Sequence, residues 1–445
     1  MAMDLINIAA SGTRAAQAAL GVTAQNIANA NNADYNRRSL DITEVNATGG
    51  IGRSGDSRLS GVRIDGVGRS ASAMLTADFN RTSSDVARAD TQLAGLKSAE
   101  RAVELSGIYP ALVEFEAGLA QLSADPLSGP YRETVLQNAR NVATGFSLAA
   151  QGLDHAAEDI AFTAQAAVDR INVLAGELAR TNTNIARTRD GSVSNAALLD
   201  QRDALVRDIS ALTGAHAQYD SAGRATLRIG GASGPVLVTG DTVQNLSLTL
   251  NADRTIQFAM AGAAISPASG ALAGHSQALD RMAVVRGDLD AVAAALIARA
   301  NAAQANGATP QGAGGPAFFA GTGASDIALS LADGSAIAAA PAGSAPGSRD
   351  TGNLAALQSA LANGGPTAGI DSLLFGLSSE ISARSITRDA LRNIADSAGA
   401  SLASQTAVDL DEEAANLVRF QQAFQASGRV IQAASDIFDT ILGIR

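Results

Sequence analysis

Three short segments of the chain carry residue types that enzymes and binding proteins use. The first, Gly66-Val67-Gly68-Arg69-Ser70-Ala71, resembles the glycine-rich turn that holds the pyrophosphate of a dinucleotide cofactor. The stretch before it, from Val62 to Ile64, is short and alternating, whereas the buried parallel strand of a dinucleotide-binding fold is continuously apolar. We therefore favour a plain turn between a strand and a helix, without a cofactor.

The second segment, Gly274-His275-Ser276-Gln277-Ala278, has a faint likeness to the sharp turn that exposes a serine nucleophile. No strong strand precedes it, and the chain has only two other histidines, His155 and His216. The favoured interpretation is a structural turn.

The third segment groups four carboxylates, Asp409, Asp411, Glu412 and Glu413, as a cation site would. Asp409 followed three residues later by Glu412 approximates a capping box, and acidic groups in the first turn of a helix interact favourably with its dipole. Helix capping is therefore the favoured interpretation. Since no segment joins a nucleophile to a positioned base, we predict no enzyme, no catalytic residue, no cofactor and no metal site.

The composition restricts the class of protein. A chain of 445 residues has room for two or three domains. Aromatic residues make up only 3% and there is no tryptophan, so the core must consist mostly of Ala, Leu, Ile and Val. Such a core favours closely packed helices over aromatic-lined ligand pockets. The net charge of −11 argues against nucleic acid or an anionic membrane as a partner.

The sequence also bears on how the protein reaches its place of action. It contains no apolar run long enough to span a membrane. The segment from Met1 to Asn7 lacks the basic and hydrophobic regions of a cleavable signal peptide. The absence of cysteine excludes disulfides and thiolate metal sites but leaves the compartment open. This composition suits a protein that a dedicated machine exports unfolded.

Proline placement indicates where long helices can form, because an interior proline breaks a helix. No proline occurs in 1–109, 131–234 or 367–445. Within the second of these stretches the spacing predicts a helix from Leu198 to Leu212, with Asp203 and Arg207 as an exposed i,i+4 pair.

The hydrophobic period changes from helical to alternating near Ala215 and returns to helical near Leu279. We therefore predict a fold that is mainly α with a smaller β part. The predicted domains are a terminal coiled-coil domain of residues 1–45 and 405–445, a helical body of residues 46–215 and 276–404 with a loop-rich segment at 307–350, and a small inserted antiparallel β-domain of residues 216–275.

Both ends of the chain carry an apolar stripe at the three-and-four spacing that keeps one face of a helix on a partner. The C-terminal stripe is bulky: Leu417, Phe420, Phe424, Ile431, Phe438 and Ile441. The N-terminal stripe is mixed and rich in small residues: Leu5, Ile8, Gly12, Ala15, Ala19 and Val22. Small residues let bulky side chains approach closely, so we predict that the two ends pair and form an assembly seam. The pattern alone leaves open whether the bulky stripe is an internal core or a contact between subunits.

Four motifs resemble those of one protein family. The C-terminal motif consists of Leu410-Asp411-Glu412-Glu413-Ala414-Ala415-Asn416-Leu417, Arg419-Phe420-Gln421-Gln422-Ala423-Phe424-Gln425-Ala426 and Ile437-Phe438-Asp439. It resembles the signature of bacterial flagellar hook-associated protein 1, the FlgK family. The stretch Ala24-Gln25-Asn26-Ile27-Ala28-Asn29-Ala30-Asn31, with Tyr35 and Arg37, is similar to the N-terminal motif of rod, hook and hook-associated proteins. Asn195 with Leu198-Leu199-Asp200-Gln201-Arg202-Asp203, and Phe318-Phe319 after a glycine-rich loop, resemble internal motifs of the same family.

The resemblance implies a structural protein of the bacterial flagellum, placed outside the cell. It implies self-assembly into a ring or helical junction, the first of two thin zones between hook and filament. The hook protein and the second hook-associated protein would be its neighbours. It also implies passage through the flagellar type III export apparatus, without a cleavable signal peptide, and a chaperone that binds the C-terminal region. Family architecture would place the paired terminal helices innermost, and the large outer insertion of longer members is absent or reduced near residues 320–350.

Two other hypotheses compete with this one. The nearer is another flagellar axial protein, either the second hook-associated protein or a flagellin, which should lack the signature from Leu410 to Ala426. The more distant is a soluble enzyme or ligand-binding protein built on residues 216–350.

Overall fold

The computed structural model describes residues 2–47 and 58–442. The helices are α1 (Ala2–Asn29), α2 (Ala73–Glu104), α3 (Ile108–Ala124), α4 (Gly129–Arg187), α5 (Val193–Thr213), α6 (Gly270–Ala305), α7 (Gly352–Ala362), α8 (Pro366–Thr406) and α9 (Leu410–Leu442), with a 3-10 turn at Gly334–Ala336. None of these helices is both long and apolar enough to cross a membrane.

The first two strands are long and form an antiparallel hairpin, and the other strands of the described residues have two to five residues each. The strands are β1 (Arg38–Ala47), β2 (Arg58–Arg69), β3 (His216–Tyr219), β4 (Ala225–Arg228), β5 (Val236–Thr239), β6 (Thr242–Val243), β7 (Leu246–Leu250), β8 (Ile256–Met260), β9 (Ala263–Ile265), β10 (Gly307–Ala308), β11 (Phe319–Ala320), β12 (Ala328–Leu329) and β13 (Ala340–Pro341). The prediction of a mainly α fold with a smaller β part is confirmed. The predicted domain boundaries stay predictions.

The chain forms two compact units, each built from separate stretches of sequence. The terminal unit comprises Met1–Asp85, Arg170–Leu246 and Arg392–Arg445, and the second unit comprises Val86–Asp169 and Ser247–Leu391. The terminal unit therefore contains α1, the β1–β2 hairpin, α5, the four-stranded sheet β3-β4-β5-β6 and α9.

Local chemistry sets the ends of α5. The Ser192 hydroxyl accepts the Asn195 N–H at 3.1 Å, which satisfies one of the free donors in the first turn. At the other end Gly214 adopts a left-handed conformation, with φ at 64°, and donates its N–H to the Ser210 carbonyl. The chain can then turn directly into β3, so α5 and the sheet after it form one continuous packing element.

The core of the second unit includes Phe318 and Phe319. Phe115 lies edge-on to Phe318, with ring centroids 5.7 Å apart, and all three rings are almost completely buried. Asn301 holds the pair, because its Oδ1 accepts the N–H of Phe318 at 2.7 Å and that of Phe319 at 3.0 Å. This motif therefore acts in core packing.

Arg132 organises part of the segment that precedes α7. Its side chain is buried and donates to the carbonyl oxygens of Pro126, Gly334 and Ile337. Burial lowers the pKa of this guanidinium. Three carbonyl acceptors compensate for removing the charge from water and fix a stretch that has little regular structure of its own.

Candidate assembly surface

Helices α1 and α9 pack against each other and run antiparallel. Gly12 lies against Ser427, since a Cβ at Gly12 would be 3.0 Å from the serine Oγ. Ten residues further along α1, Val22 lines the same cleft as Asn416 and Phe420, near the start of α9. The two ends of the chain therefore pair, as the stripes predicted.

The small residues of α1 form most of its covered face. Ala19 is 1% exposed, and Ala9, Ala15, Ala16 and Val22 are also buried. The same helix also meets the hairpin, where Ser11 Oγ accepts the N–H of Val62 at 3.1 Å. Small side chains thus let α1 fit closely between α9 and β2.

The bulky stripe of α9 is only partly covered. Leu417, Phe420 and Ile431 are half-buried, as are Ile8 and Gly12 on α1. Phe424 remains 40% exposed, Phe438 39% and Leu5 45%. The side chain of Ile441 is outside the described part of the chain. Further exposed apolar side chains on α9 are Leu410, Val418, Val430 and Ile437.

This incomplete coverage has an energetic meaning. Burying a large apolar side chain contributes about 2 kcal/mol, so covering the exposed part of Phe424 would contribute about 1 kcal/mol. Several such residues on one helix give an apolar surface that isolated subunits leave in water. The helix pair is therefore a fold element that leaves several large apolar side chains of α9 in contact with water.

The start of α9 is fixed by its acidic turn. Asp409 Oδ1 accepts the N–H of Asp411 at 2.9 Å and that of Glu412 at 3.3 Å, so the predicted N-cap is confirmed. Glu412 and Glu413 have another role, because they bind Arg37. Their oxygens lie 2.6 Å from Nη2 and 2.8 Å from Nε of that arginine. Among the described residues, no group of three His, Asp or Glu side chains could hold a metal ion.

Asn26 joins the end of α1 to the segment that follows it. Its Oδ1 accepts the Tyr35 hydroxyl at 2.7 Å and the Arg38 N–H at 3.0 Å, and its Nδ2 donates to the Arg38 carbonyl at 2.9 Å. Asn26 is 1% exposed, so this exchange occurs away from water. Burial also raises the pKa of Tyr35.

Asp200 on α5 is the centre of a buried ionic cluster. Its carboxylate lies 3.0 Å from Nη2 of Arg38 and 3.5 Å from Nε of Arg69, and all three side chains are less than a tenth exposed. Its Oδ1 also accepts the side-chain amide of Asn36 at 2.9 Å. One carboxylate therefore ties the start of β1 and the end of β2 to the same helix.

Asp203 continues this cluster. It pairs with Arg69 and, at 2.6 Å, with Arg202. The guanidinium of Arg202 stacks 4.3 Å above the ring of Tyr219, and burial raises the pKa of that tyrosine to about 12. The prediction of an exposed pair between Asp203 and Arg207 is wrong, because Arg207 instead binds Asp34 at 2.7 Å.

Three sequence motifs thus meet in one network. Arg37, Asn26 and Tyr35 come from the N-terminal motif, Asp200 and Asp203 from the internal motif, and Glu412 and Glu413 from the C-terminal motif. Sequence reasoning found the motifs but missed the roles of Arg38 and Arg69 and every ion pair between segments. One signal for ion pairing was present, because Arg37 lies in the N-terminal motif and acidic residues lie in the other two. Spacing along the chain could not show which arginine binds which carboxylate.

The two other segments considered for chemistry have structural roles. Gly66 and Gly68 lie within β2, which pairs antiparallel with β1, so the dinucleotide loop is excluded and the turn before α2 comes after them.

His275 lies inside α6, and the prediction of a turn there is wrong. Gly274 permits close helix contact, since a Cβ there would lie 2.5 Å from the Arg88 carbonyl. Burial lowers the pKa of His275.

Comparison with known proteins decides the family. Residues 97–319, half of the chain, match the family described as the flagellar hook-associated protein FlgK helical domain. The chain belongs to the FlgK family. Residues 402–444, which include α9, also match the family described as flagellar basal body rod FlgEFG protein C-terminal. The resemblance drawn from the motifs is confirmed.

Several FlgK-family relatives are similar over part of their length. The chain is 28% identical over 255 residues to flagellar hook-associated protein 1 of Escherichia coli (strain K12), and the match covers 55% of this chain and 44% of the relative. The protein of that name from Salmonella typhimurium is 29% identical over 251 residues, with the same coverage. The chain thus spans less than half the length of these relatives.

Two further similarities differ in coverage. Flagellar hook-associated protein 1 of Bacillus subtilis (strain 168) is 24% identical over an alignment of 491 residues, which covers 96% of this chain and 95% of that FlgK-family relative. The solved structure of the flagellar hook junction protein FlgK from Burkholderia pseudomallei is 22% identical, with a TM-score of 0.48, and the match covers 55% of this chain and 46% of the other.

Proposed function

We propose that this FlgK-family protein is a structural subunit of the bacterial flagellum, located outside the cell, that forms the first junction zone between hook and filament. It acts by binding other axial proteins and performs no catalysis. The observation that carries the proposal is the incompletely covered helix pair α1–α9 in a chain of this family. Its exposed apolar residues, Leu5, Phe424 and Phe438 among them, need a protein neighbour to leave water.

The assembly seam consists of the two predicted stripes. In the free subunit, α1 covers the centre of the α9 stripe with small residues, and the edges of that stripe stay open. In the junction, neighbouring subunits cover these edges, and each large side chain removed from water adds to the contact. The partners are further copies of this chain, the hook protein on one side and the second hook-associated protein on the other.

Export would precede assembly. The chain passes unfolded through the flagellar type III apparatus, and a chaperone covers the C-terminal region until it is released. The lack of cysteine and the low aromatic content suit such passage, because no disulfide must be reduced and few bulky side chains enter the channel.

Deletion of the gene from its own organism tests the proposal. Cells without it should build hooks but release flagellin into the medium, and the wild-type gene supplied in trans should restore attached filaments. Normal filaments on the deletion strain would overturn the junction role. The same strain complemented with an unrelated exported protein controls for the effect of expression.

Electron microscopy of a labelled subunit separates the junction role from the nearest rival. Label confined to a narrow zone between hook and filament is the expected result. Label along the whole filament would identify a flagellin, and label only on the filament side of another junction protein would identify the second hook-associated protein.

A further inference from the structure

A cleft of about 370 Å³ opens beside the ionic network, where α1, β1 and the start of α9 meet. Its lining includes the apolar side chains of Val22, Leu40, Ile42 and Phe420, and Ile42 is 42% exposed. Glu412 and Glu413 also line it, and Arg37 pairs with both. Arg419 also lines the cleft and is exposed, with its guanidinium 5.0 Å from the centre of the Phe420 ring. Unlike Arg37 and Arg38, it forms no ion pair with any described residue.

The opposite end of the helix pair carries exposed apolar side chains and carboxylates, which complement the apolar side chains and the arginine of the cleft. There Ile437 is 48% exposed, and Phe438 and Leu5 also reach solvent. Asp436 and Asp439 flank the apolar residues of α9, and neither carboxylate is ion-paired within the described part of the chain. We refer to residues 436–439 as the acidic tip of α9.

The tip cannot reach the cleft of its own subunit. From Arg419 to Phe438 a helix rises about 28 Å, at roughly 1.5 Å per residue. Both residues belong to the same continuous helix, α9, so this separation is fixed. Any contact between the tip and the cleft must therefore join two copies.

We propose that the acidic tip of α9 in one copy binds the cleft of the next copy, which extends the proposed junction function and rests on it. Ile437 and Phe438 cover Ile42 and Phe420, and the carboxylates of Asp436 and Asp439 pair with Arg419. Apolar contact supplies the attraction, and the charges select the direction and register of the contact.

The geometry of this contact determines which kind of assembly it can build. Tip and cleft are different surfaces at opposite ends of one helix pair, so each bound copy still offers a free tip or a free cleft. A contact of this heterologous kind repeats, closing into a ring or continuing as a helix. It therefore supplies a direction to a structure that has different neighbours on its two sides.

Cysteine cross-linking of the purified full-length chain tests the contact. The chain has no native cysteine, so Ser39→Cys in the cleft and Thr440→Cys beside the tip provide unique thiols while keeping every apolar residue of the contact. When the two single variants are mixed with a short bismaleimide, we expect a covalent dimer. The matched control is Ser39→Cys mixed with Gln425→Cys, since Gln425 is an exposed position in the middle of α9. A dimer yield no greater than that of the control overturns the proposal.

Charge reversal provides an independent measurement. Arg419→Glu should weaken association of the full chain, followed by sedimentation velocity, by about tenfold. Reversal of Asp436 and Asp439 to lysine should do the same, and combining the reversals in one chain should restore most of the association. Loss without restoration would overturn the pairing.

These experiments are separable from the test of the junction role. Specific cross-linking together with normal filaments on the deletion strain would leave the contact standing and remove the junction function. Restored filaments without specific cross-linking would leave the function standing and remove this contact. Binding of the tip by the export chaperone, with no cross-link between copies, would assign the tip to that partner instead.

Discussion

Arg37 and Glu413 form an ion pair between the segment after α1 and the first turn of α9, with Nε 2.8 Å from Oε1. The Glu413 side chain is 2% exposed, whereas Arg37 keeps about a quarter of its surface in water. The hydrogen bond to Glu413 is the largest cause of the raised pKa of Arg37. This pair holds the start of α9 at the end of the antiparallel contact and gives the first prediction.

Arg37→Gln should destabilise the terminal unit by about 2 kcal/mol, because Glu413 would remain buried without its cation. Hydrogen exchange of the first turns of α9 and urea unfolding would measure the effect. Arg81→Gln is the matched control, since Arg81 is 65% exposed and pairs with Asp78 in an i,i+3 contact, which contributes little. Equal effects of the two substitutions would contradict the role assigned to Arg37.

Asn26→Ala should destabilise the same unit by about 2 to 3 kcal/mol. The substitution removes three hydrogen bonds and leaves the buried Tyr35 hydroxyl and the Arg38 peptide without their partner. Asn31→Ala, at an exposed position in the following turn, should change the free energy of unfolding by less than about 0.5 kcal/mol. Chemical denaturation of both variants decides the matter, and an Asn26→Ala protein as stable as the wild type would refute the prediction.

Gly12→Leu should separate α1 from α9. Even a Cβ there would press on Ser427 Oγ, so we expect a loss of about 1 to 3 kcal/mol from overpacking. Gly21→Leu offers a control on the same helix, because nothing lies within 4 Å of its Cβ position and leucine favours a helix over glycine. Thermal unfolding should move in opposite directions for the two variants. A shared direction would argue against the close approach at Gly12.

Phe424→Asp should block incorporation into the junction without unfolding the subunit. The side chain is 40% exposed in the free subunit, so a carboxylate can reach water there but would be desolvated once a neighbour covers it. Gln425→Asp adds the same charge at the adjacent exposed position and should assemble normally. Circular dichroism checks the fold, and filament attachment in the complemented deletion strain checks assembly. Normal attachment with Phe424→Asp would remove this residue from the seam.

Tyr219 should make stability fall at alkaline pH. Burial raises its pKa from 10.0 to about 12, so between these values the unfolded chain loses the proton while the folded chain keeps it. The resulting stability is fully present below pH 10 and is lost as the pH rises toward 12. Tyr219→Phe should make the decline shallower in urea unfolding across this range, whereas Tyr131→Phe, at an exposed position, should not. Identical slopes for Tyr219→Phe and the wild type would show that the ring is not buried as described.

Local periodicity was sufficient to predict the terminal helices, because a stripe and a cap are properties of neighbouring residues. The stripe from Leu417 to Phe438 repeats every three or four residues, and Asp409 caps the turn that directly follows it, so both signals are local. Sequence separation was no obstacle to pairing α1 with α9 either, since the small stripe and the bulky stripe are complementary as whole surfaces.

The ionic network could not be derived in this way. Asp203 has Arg207 four residues ahead of it, and local spacing favoured that pair. Asp203 instead pairs with its neighbour Arg202 and with Arg69, which tertiary packing brings from a distant segment. Gly274 misled for a related reason. Glycine commonly marks a turn, but here it lets α6 approach the backbone of α2, and only the packed structure distinguishes the two uses.

The antiparallel pairing of the chain ends also bears on the expected order of folding. Arg37 and Glu413 are 376 residues apart, so their contact closes a very long loop. The entropic cost grows only slowly with loop length, but contacts between distant residues form slowly. The terminal unit, assembled from three separated stretches, should therefore mature after the second unit during refolding. Throughout that delay the stripes of α1 and α9 would both be open, so the proposed chaperone or a neighbouring copy would compete with intramolecular closure for the same apolar surface.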